Sequence, residues 1–273
     1  MTIEIRPVAG YAEYVACEAL QNIAWGGFGI VPLNMLTTVH TSGGVVLGAF
    51  DTAAPAAPLV GFVFGFLGRT PDGRLKHCSH MAAVLPAYRD ARIGERLKLA
   101  QRTAVIAQGI DLMTWTFDPL ISRNAYLNIR KLGAICRTYK QNVYGPDPVP
   151  ADDLPTDRFQ VEWWLTSARV AARLTAADQP LSAEALLTDT IVLNPNPEGA
   201  TAPIVGERLA LRIPANIDAL RNTNFPCARA WRYQLRTLAS TAFVAGYHVT
   251  EYARHGDSGY YLLVPFASRS WLP

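Results

Sequence analysis

Arg89, Arg92 and Arg96 crowd one stretch of the chain, with Gly94 between the last two. A run of small and apolar residues, 81–85, precedes them and reads as the end of a strand. Helical periodicity begins near 93. A helix N-terminus offers unpaired N–H groups and a partial positive charge, which suits an anion. Glycine lets a ligand approach the backbone closely, and guanidinium groups add full charge. The chemistry that fits is retention of a phosphate or pyrophosphate. The same residues also fit an ordinary strand–loop–helix corner with solvated arginines.

Just upstream lie His77, Cys78, Ser79 and His80. Strand alternation puts Cys78 and His80 on one face and His77 and Ser79 on the other. An imidazole with the ordinary pKa of about 6.5 accepts a proton near neutral pH, so His80 is a candidate general base. Cys78 is a second catalytic candidate on that face. The alternative for His80 is a partly buried, hydrogen-bonded strand histidine. Side chains that alternate in direction do not converge on one ion, so no metal site is expected.

These residues need elements to position them. Alternation and turn residues predict strands over 2–8, 45–50, 59–67, 77–84, 110–117, 134–144 and 159–165. Three- and four-residue apolar spacing predicts helices over 11–24, 33–39, 93–108 and 122–132. In 11–24 the spaced residues are Ala12, Val15, Ala16, Ala19, Leu20 and Ile23. In 93–108, Leu97, Ala100, Ala104 and Val105 are expected to face inward. Residues 166–188 read as a linker carrying one or two helices. Beyond it come strands over 189–193 and 207–213 and helices over 214–222 and 226–245. A hairpin of 247–253 with 260–264 closes the chain. Antiparallel strands, then a β-α-β unit, then a closing pair give an α+β (mixed α/β) fold rather than a doubly wound one.

Composition bounds the function. The chain has 273 residues, of which 50% are hydrophobic and 17% charged, with a net charge of +3. That is enough apolar material for a core and excludes disorder. The richest apolar stretch, 58–68, is too short to span a bilayer, so no membrane association is expected. Basic and acidic residues are interspersed, so no nucleic-acid partner is expected either. The N-terminal residues 1–6 show no secretory pattern. The four scattered cysteines form no Cys-x-x-Cys pair, and together these point to a reducing, cytoplasmic setting.

Val84-Leu85-Pro86, Tyr88-Arg89 and Gly94 resemble the acyl-coenzyme-A motif of the GNAT superfamily of acetyltransferases. That motif is Gln/Arg-x-x-Gly-x-Gly/Ala after a strand ending in Val-x-Pro-x-Tyr/Trp-Arg. Arg89 and Gly94 match its first and last positions, and Arg92 stands where the middle glycine is usual. Residues 122–134 resemble the family helix Asn-x-x-Ala-x-x-x-Tyr-x-Lys-Leu-Gly-Phe through Ala125, Lys131, Leu132 and Gly133. Ser122 replaces the asparagine that contacts pantetheine. Ile129 replaces the tyrosine that protonates the leaving thiolate, and Asn124 and Tyr126 are near but shifted.

The resemblance implies a GNAT-like acyl-CoA N-acyltransferase fold over 1–166. A smaller C-terminal α+β region, 167–273, would form an acceptor pocket or a homodimer interface. It implies transfer of an acetyl group from acetyl-CoA to the amine of a small molecule, with no metal cofactor. Backbone groups of Met81, Ala82, Ala83 and Val84 would pair with pantetheine. Arg89, Arg92, Ile93, Gly94 and Glu95 would surround the pyrophosphate, with Ser122 and Asn124 near pantetheine. His80, Cys78 and Tyr126 are the catalytic candidates. Tyr139 and Tyr144 are further candidate thiolate acids, and Asp118 and Glu162 candidate sites for a cationic amine. Ile129 and Arg92 favour the alternative, a non-catalytic CoA- or ligand-binding module on the same fold.

Overall fold

Apolar residues bury both faces of the central N-terminal strands, and helices cover both faces of the sheet they make. The computed structural model describes residues 1–27, 29–146, 149–175 and 182–266. Its residues fall into two compact units, Met1–Trp115 and Thr116–Pro273.

In the first unit, β1 (Ile3–Pro7), β2 (Val45–Asp51), β3 (Leu59–Arg69) and β4 (Leu75–Val84) pair antiparallel in that order. β5 (Leu112–Phe117), whose last two residues belong to the second unit, joins β4 in parallel. Helices α1 (Gly10–Trp25) and α2 (Leu33–Thr41) cover one face, where Leu20, Leu36, Phe62 and Phe64 form the core. Helix α3 (Ile93–Ala107) covers the other, with Leu97 against Gly61.

The buried side of α1 differs from its apolar spacing. Tyr14, Cys17, Leu20 and Gln21 are buried, whereas Ala12, Val15 and Ile23 are exposed. Gln21 is drawn inward because the chain after α1 needs hydrogen-bond partners. Its carboxamide oxygen accepts from Val31 N–H at 2.7 Å, and its amide donates to the Val31 carbonyl at 3.1 Å. The Tyr14 hydroxyl likewise meets His40 Nδ1 at 2.6 Å.

In the second unit, β6 (Ile135–Lys140) and β7 (Arg158–Trp164) pair antiparallel. β10 (Tyr247–His255) and β11 (Ser258–Pro265) form a hairpin closed by Gly256-Asp257. β10 also pairs with β6, and β11 with β9 (Leu209–Pro214), which carries the short β8 (Ile191–Val192) in parallel. Helix α8 (Phe225–Val244) buries Trp231, Leu235, Leu238 and Ala242, as its periodicity predicts.

The predicted 122–132 helix departs from α geometry. One α turn, α4 (Ser122–Ala125), passes into a π-helical segment, Tyr126–Lys131. The remaining short helices are α5 (Ala168–Thr175), α6 (Ala183–Leu187) and α7 (Ile217–Thr223). The expected 166–188 helical stretch falls in part on 176–181, outside the described residues.

Candidate functional site

The site is built where β4 leaves β5. Their ladder holds only His77↔Met113 and Cys78↔Thr114, while β4 runs on to Val84. From Ser79 to Val84 its β5-side edge has no strand partner among the described residues of the first unit. That edge leads into a 3-10 turn, Pro86–Tyr88, and then into α3. An extended, peptide-like ligand can add to such an edge as a further strand.

At the end of the edge, Asp90 and Arg92 both have left-handed backbone, with φ of 67° and 56°. Arg92 is the residue before the first turn of α3. The position where the motif has glycine therefore keeps the glycine conformation, although it is an arginine, and a Cβ there is strained. Its guanidinium turns back to Glu95, at 2.7 and 3.0 Å. Arg92 and Glu95 thus neutralise each other within the first turn.

The first intrahelical bond runs from Arg96 N–H to the Arg92 carbonyl at 3.0 Å, so the Ile93, Gly94 and Glu95 amides lie ahead of it. A Cβ added to Gly94 would meet nothing within 4 Å, and its φ is not positive. Neither packing nor backbone geometry requires glycine there. Arg89 is exposed and makes no ion pair among the described residues.

A β-bulge interrupts β4. Phe64 pairs with Met81 and Gly65 with Ser79, which leaves His80 as the extra residue. Cys78 and His80 share the α1/α2 face, as alternation predicts. The His80 ring lies 6.0 Å from both Phe64 and Phe66, edge-on to Phe64. Desolvation by these neighbours holds its pKa below the ordinary imidazole value, so it is neutral and able to accept a proton at pH 7.

The opposite face of β4 carries groups that sequence reasoning missed. Lys98 Nζ donates to Ser79 Oγ at 2.6 Å, and Ser79 Oγ donates to Gln101 Oε1 at 2.8 Å. Gln101 Nε2 then lies 3.2 Å from His77 Nε2. Because Gln101 accepts through its oxygen, its amide donates here, and the His77 proton sits on Nδ1. All four side chains are buried. Burial first, then the Lys98 charge, lowers the His77 pKa to about 4; burial lowers that of Lys98 to about 7. Gly65 makes the room, since a Cβ on it would lie 2.3 Å from His77 Nε2 and 2.7 Å from the Cys78 carbonyl. The signal was present in spacing. Lys98 and Gln101 lie seven and four residues before the buried Val105, and Gln101 lies four after Leu97.

Candidates in the second unit are more committed. Ser122 is buried, and its hydroxyl meets Tyr252 Oη at 2.7 Å. Ile129 is fully buried, while Asn124 and Tyr126 are half-buried. Tyr139 donates to Asp157 at 2.7 Å, and burial raises its pKa. Tyr144 is exposed, beneath the Arg158 guanidinium at 5.3 Å. Asp118 accepts from Arg232 at 2.6 and 2.8 Å, and Glu162 from Arg137 at 2.7 Å. The carboxylates expected to meet a cationic amine therefore already hold guanidinium groups.

No known family model matches the chain, and no curated protein sequence does. Solved structures do. A chain of the NatC complex bound to Gag peptide and CoA is similar over 61% of this chain and 100% of its own, with a TM-score of 0.50 and 17% identity. The fold is that of the GNAT acetyltransferases. A GNAT-family acetyltransferase from Streptococcus pneumoniae is similar over 59% of this chain and 98% of its own, at a TM-score of 0.48 and 13% identity. The ribosomal-protein-S18-alanine N-acetyltransferase from Escherichia coli is similar over 59% and 92%, at 0.46 and 12%. The match to a GNAT fold leaves part of the present chain outside it.

Proposed function

We propose that the chain is an acyl-CoA-dependent N-acyltransferase that moves an acetyl group to the amine of a small molecule. One observation carries this reading: the unpaired β4 edge runs directly into a left-handed turn and the open N-terminus of α3. A CoA molecule has the same order of parts, an amide-bearing arm followed by a pyrophosphate. Met81, Ala82, Ala83 and Val84 would pair with the arm. The Ile93 and Gly94 amides and Arg89 would hold the phosphates. That the NatC complex, one chain of which is similar, is bound to CoA agrees with this assignment.

Acetyl-CoA, as co-substrate, supplies the activated acyl group. The acceptor amine must lose a proton, and the neutral His80 imidazole, on the α1/α2 face of β4, is the group proposed to take it. Cys78 shares that face. Tyr126, with its hydroxyl free of hydrogen bonds among the described residues, is the proposed thiolate acid. Residues 1–166 would carry the acyl-CoA fold, and 167–273 an acceptor pocket or dimer interface, in a cytoplasmic protein.

Titration with acetyl-CoA and desulfo-CoA tests the reading. Submillimolar binding is expected, weakened about tenfold, or about 1.4 kcal/mol, in Arg89→Ala. No binding by the intact chain would refute it. Equal binding by the variant would remove Arg89 from the site.

The fully buried Ile129 favours a second reading, a non-catalytic CoA-binding module. Thiol release from acetyl-CoA over a panel of amines separates the two. Amine-dependent turnover, reduced at least about 100-fold in His80→Ala, is the expected outcome for the enzyme.

A further inference from the structure

A single side chain from α3 touches both strands at the point where they part. The β4–β5 ladder ends at Cys78↔Thr114. The next residue on β4 is Ser79, which accepts from Lys98 Nζ at 2.6 Å. The next on β5 is Trp115, and the same Nζ stands 3.9 Å from its ring centroid. We propose that Lys98 is a positioning residue that pins the fork between β4 and β5. It thereby sets the open edge 79–84 against which the pantetheine arm of an acyl-CoA would pair. The pin is a property of the free protein; its consequence for the ligand rests on the acyl-CoA reading.

Folding alone does not explain this lysine. It is 5% exposed and touches no carboxylate among the described residues. A buried cation without a counter-ion opposes folding, and an apolar side chain of equal reach would favour it. What the ammonium supplies is a bond to each of two strands that share only two residue pairs. It donates a hydrogen bond to one and makes a cation–π contact with the other. The network continues back along the ladder. Ser79 is held to Gln101, and Gln101 to His77, which forms the other β4–β5 pair. Thus α3 grips β4 on both sides of Cys78, while Gly65 leaves the space the grip occupies.

Hydrogen exchange of the free, full-length protein tests the pin, with Lys98→Met as the first variant. The expected result has opposite signs in two places. The melting temperature and the protection of β1 and β2 rise, because a buried charge is gone. The amides of 76–84 and 110–115 exchange about tenfold faster, because the fork is loose. Protection that rises everywhere, or a fork that exchanges at the wild-type rate, would overturn the proposal.

Ser79→Ala removes the acceptor and keeps the buried lysine. It should speed fork exchange about threefold, and an unchanged fork in this variant overturns the pin even if Lys98→Met does not fold. Titration with CoA gives the second arm. Binding about tenfold weaker in Lys98→Met supports the link to the ligand edge, and equal binding breaks it. If the wild type binds no CoA, the acyl-CoA reading fails while the exchange result still decides the pin.

Discussion

The arginines of the α3 junction and those of the second unit are the same residue type in opposite circumstances. Arg232 is almost wholly buried, gives two hydrogen bonds to Asp118, and leaves Nε and Nη1 without partners among the described residues. Arg236 holds Asp157 with two bonds, at 2.6 and 2.8 Å, and Arg173 holds Glu251. Arg89 is exposed and has no ion-pair partner among the described residues, and Arg92 pairs with Glu95 one turn along. A guanidinium already committed to a carboxylate is part of the fold. At the α3 junction Arg92 pairs with Glu95 and Arg96 donates to the Ile3 carbonyl at 2.8 Å, whereas Arg89 meets no carboxylate among the described residues. Charge count could not have told these apart; pairing does.

The sharpest break of that comparison is Asp118→Ala. It strands the buried Arg232 charge and should cost about 3–5 kcal/mol, read from urea unfolding. A loss under about 1 kcal/mol would mean that the pair is not structural.

Lys98→Met should act in the other direction. With a folded pKa of about 7 and an unfolded one of about 10.4, the unfolded chain binds more protons between those values. The penalty from Lys98 is therefore complete below pH 7 and fades as pH rises toward 10. The variant should gain on the order of 5 kcal/mol at pH 6, at about 1.4 kcal/mol per pKa unit, and nearly nothing at pH 10. A gain that does not change with pH would contradict the assignment.

Arg92→Gly removes a left-handed Cβ at the cost of an exposed ion pair, and should stabilise by about 0.5 kcal/mol. Arg89→Ala should leave the unfolding midpoint unchanged within about 0.5 kcal/mol, so that its effect on ligand is separable from folding.

Much of the architecture was legible in the sequence because strands and helices here follow their simple periods. The boundaries of β2, β4, α3 and α8 differ from the predicted ones by only one or two residues. The α3 junction was legible because it is local, with all of its residues within about one loop and one turn. What escaped was of two kinds. Gln21, Lys98 and Gln101 are polar residues on buried helix faces, and a reading that follows only apolar spacing passes over them. Ser122, Asp118 and Glu162 were candidates by position, yet each is engaged by a residue far along the chain: Tyr252, Arg232 and Arg137. The π-helical segment at Tyr126–Lys131 begins with the same residues as an α-helix and differs only in where its hydrogen bonds close.

The contrast between Gly65 and Gly94 has a consequence for mutational libraries. Side chain and backbone both occupy the space where a Cβ at 65 would go, so no compensating change at His77 alone frees it. The space at 94 is open. In a library of random variants sorted first for soluble expression, alanine should vanish at position 65 and persist at position 94. A second sort for retention on immobilised CoA should then remove the variants at 94, recording in allele frequencies which glycine serves the fold and which serves the ligand.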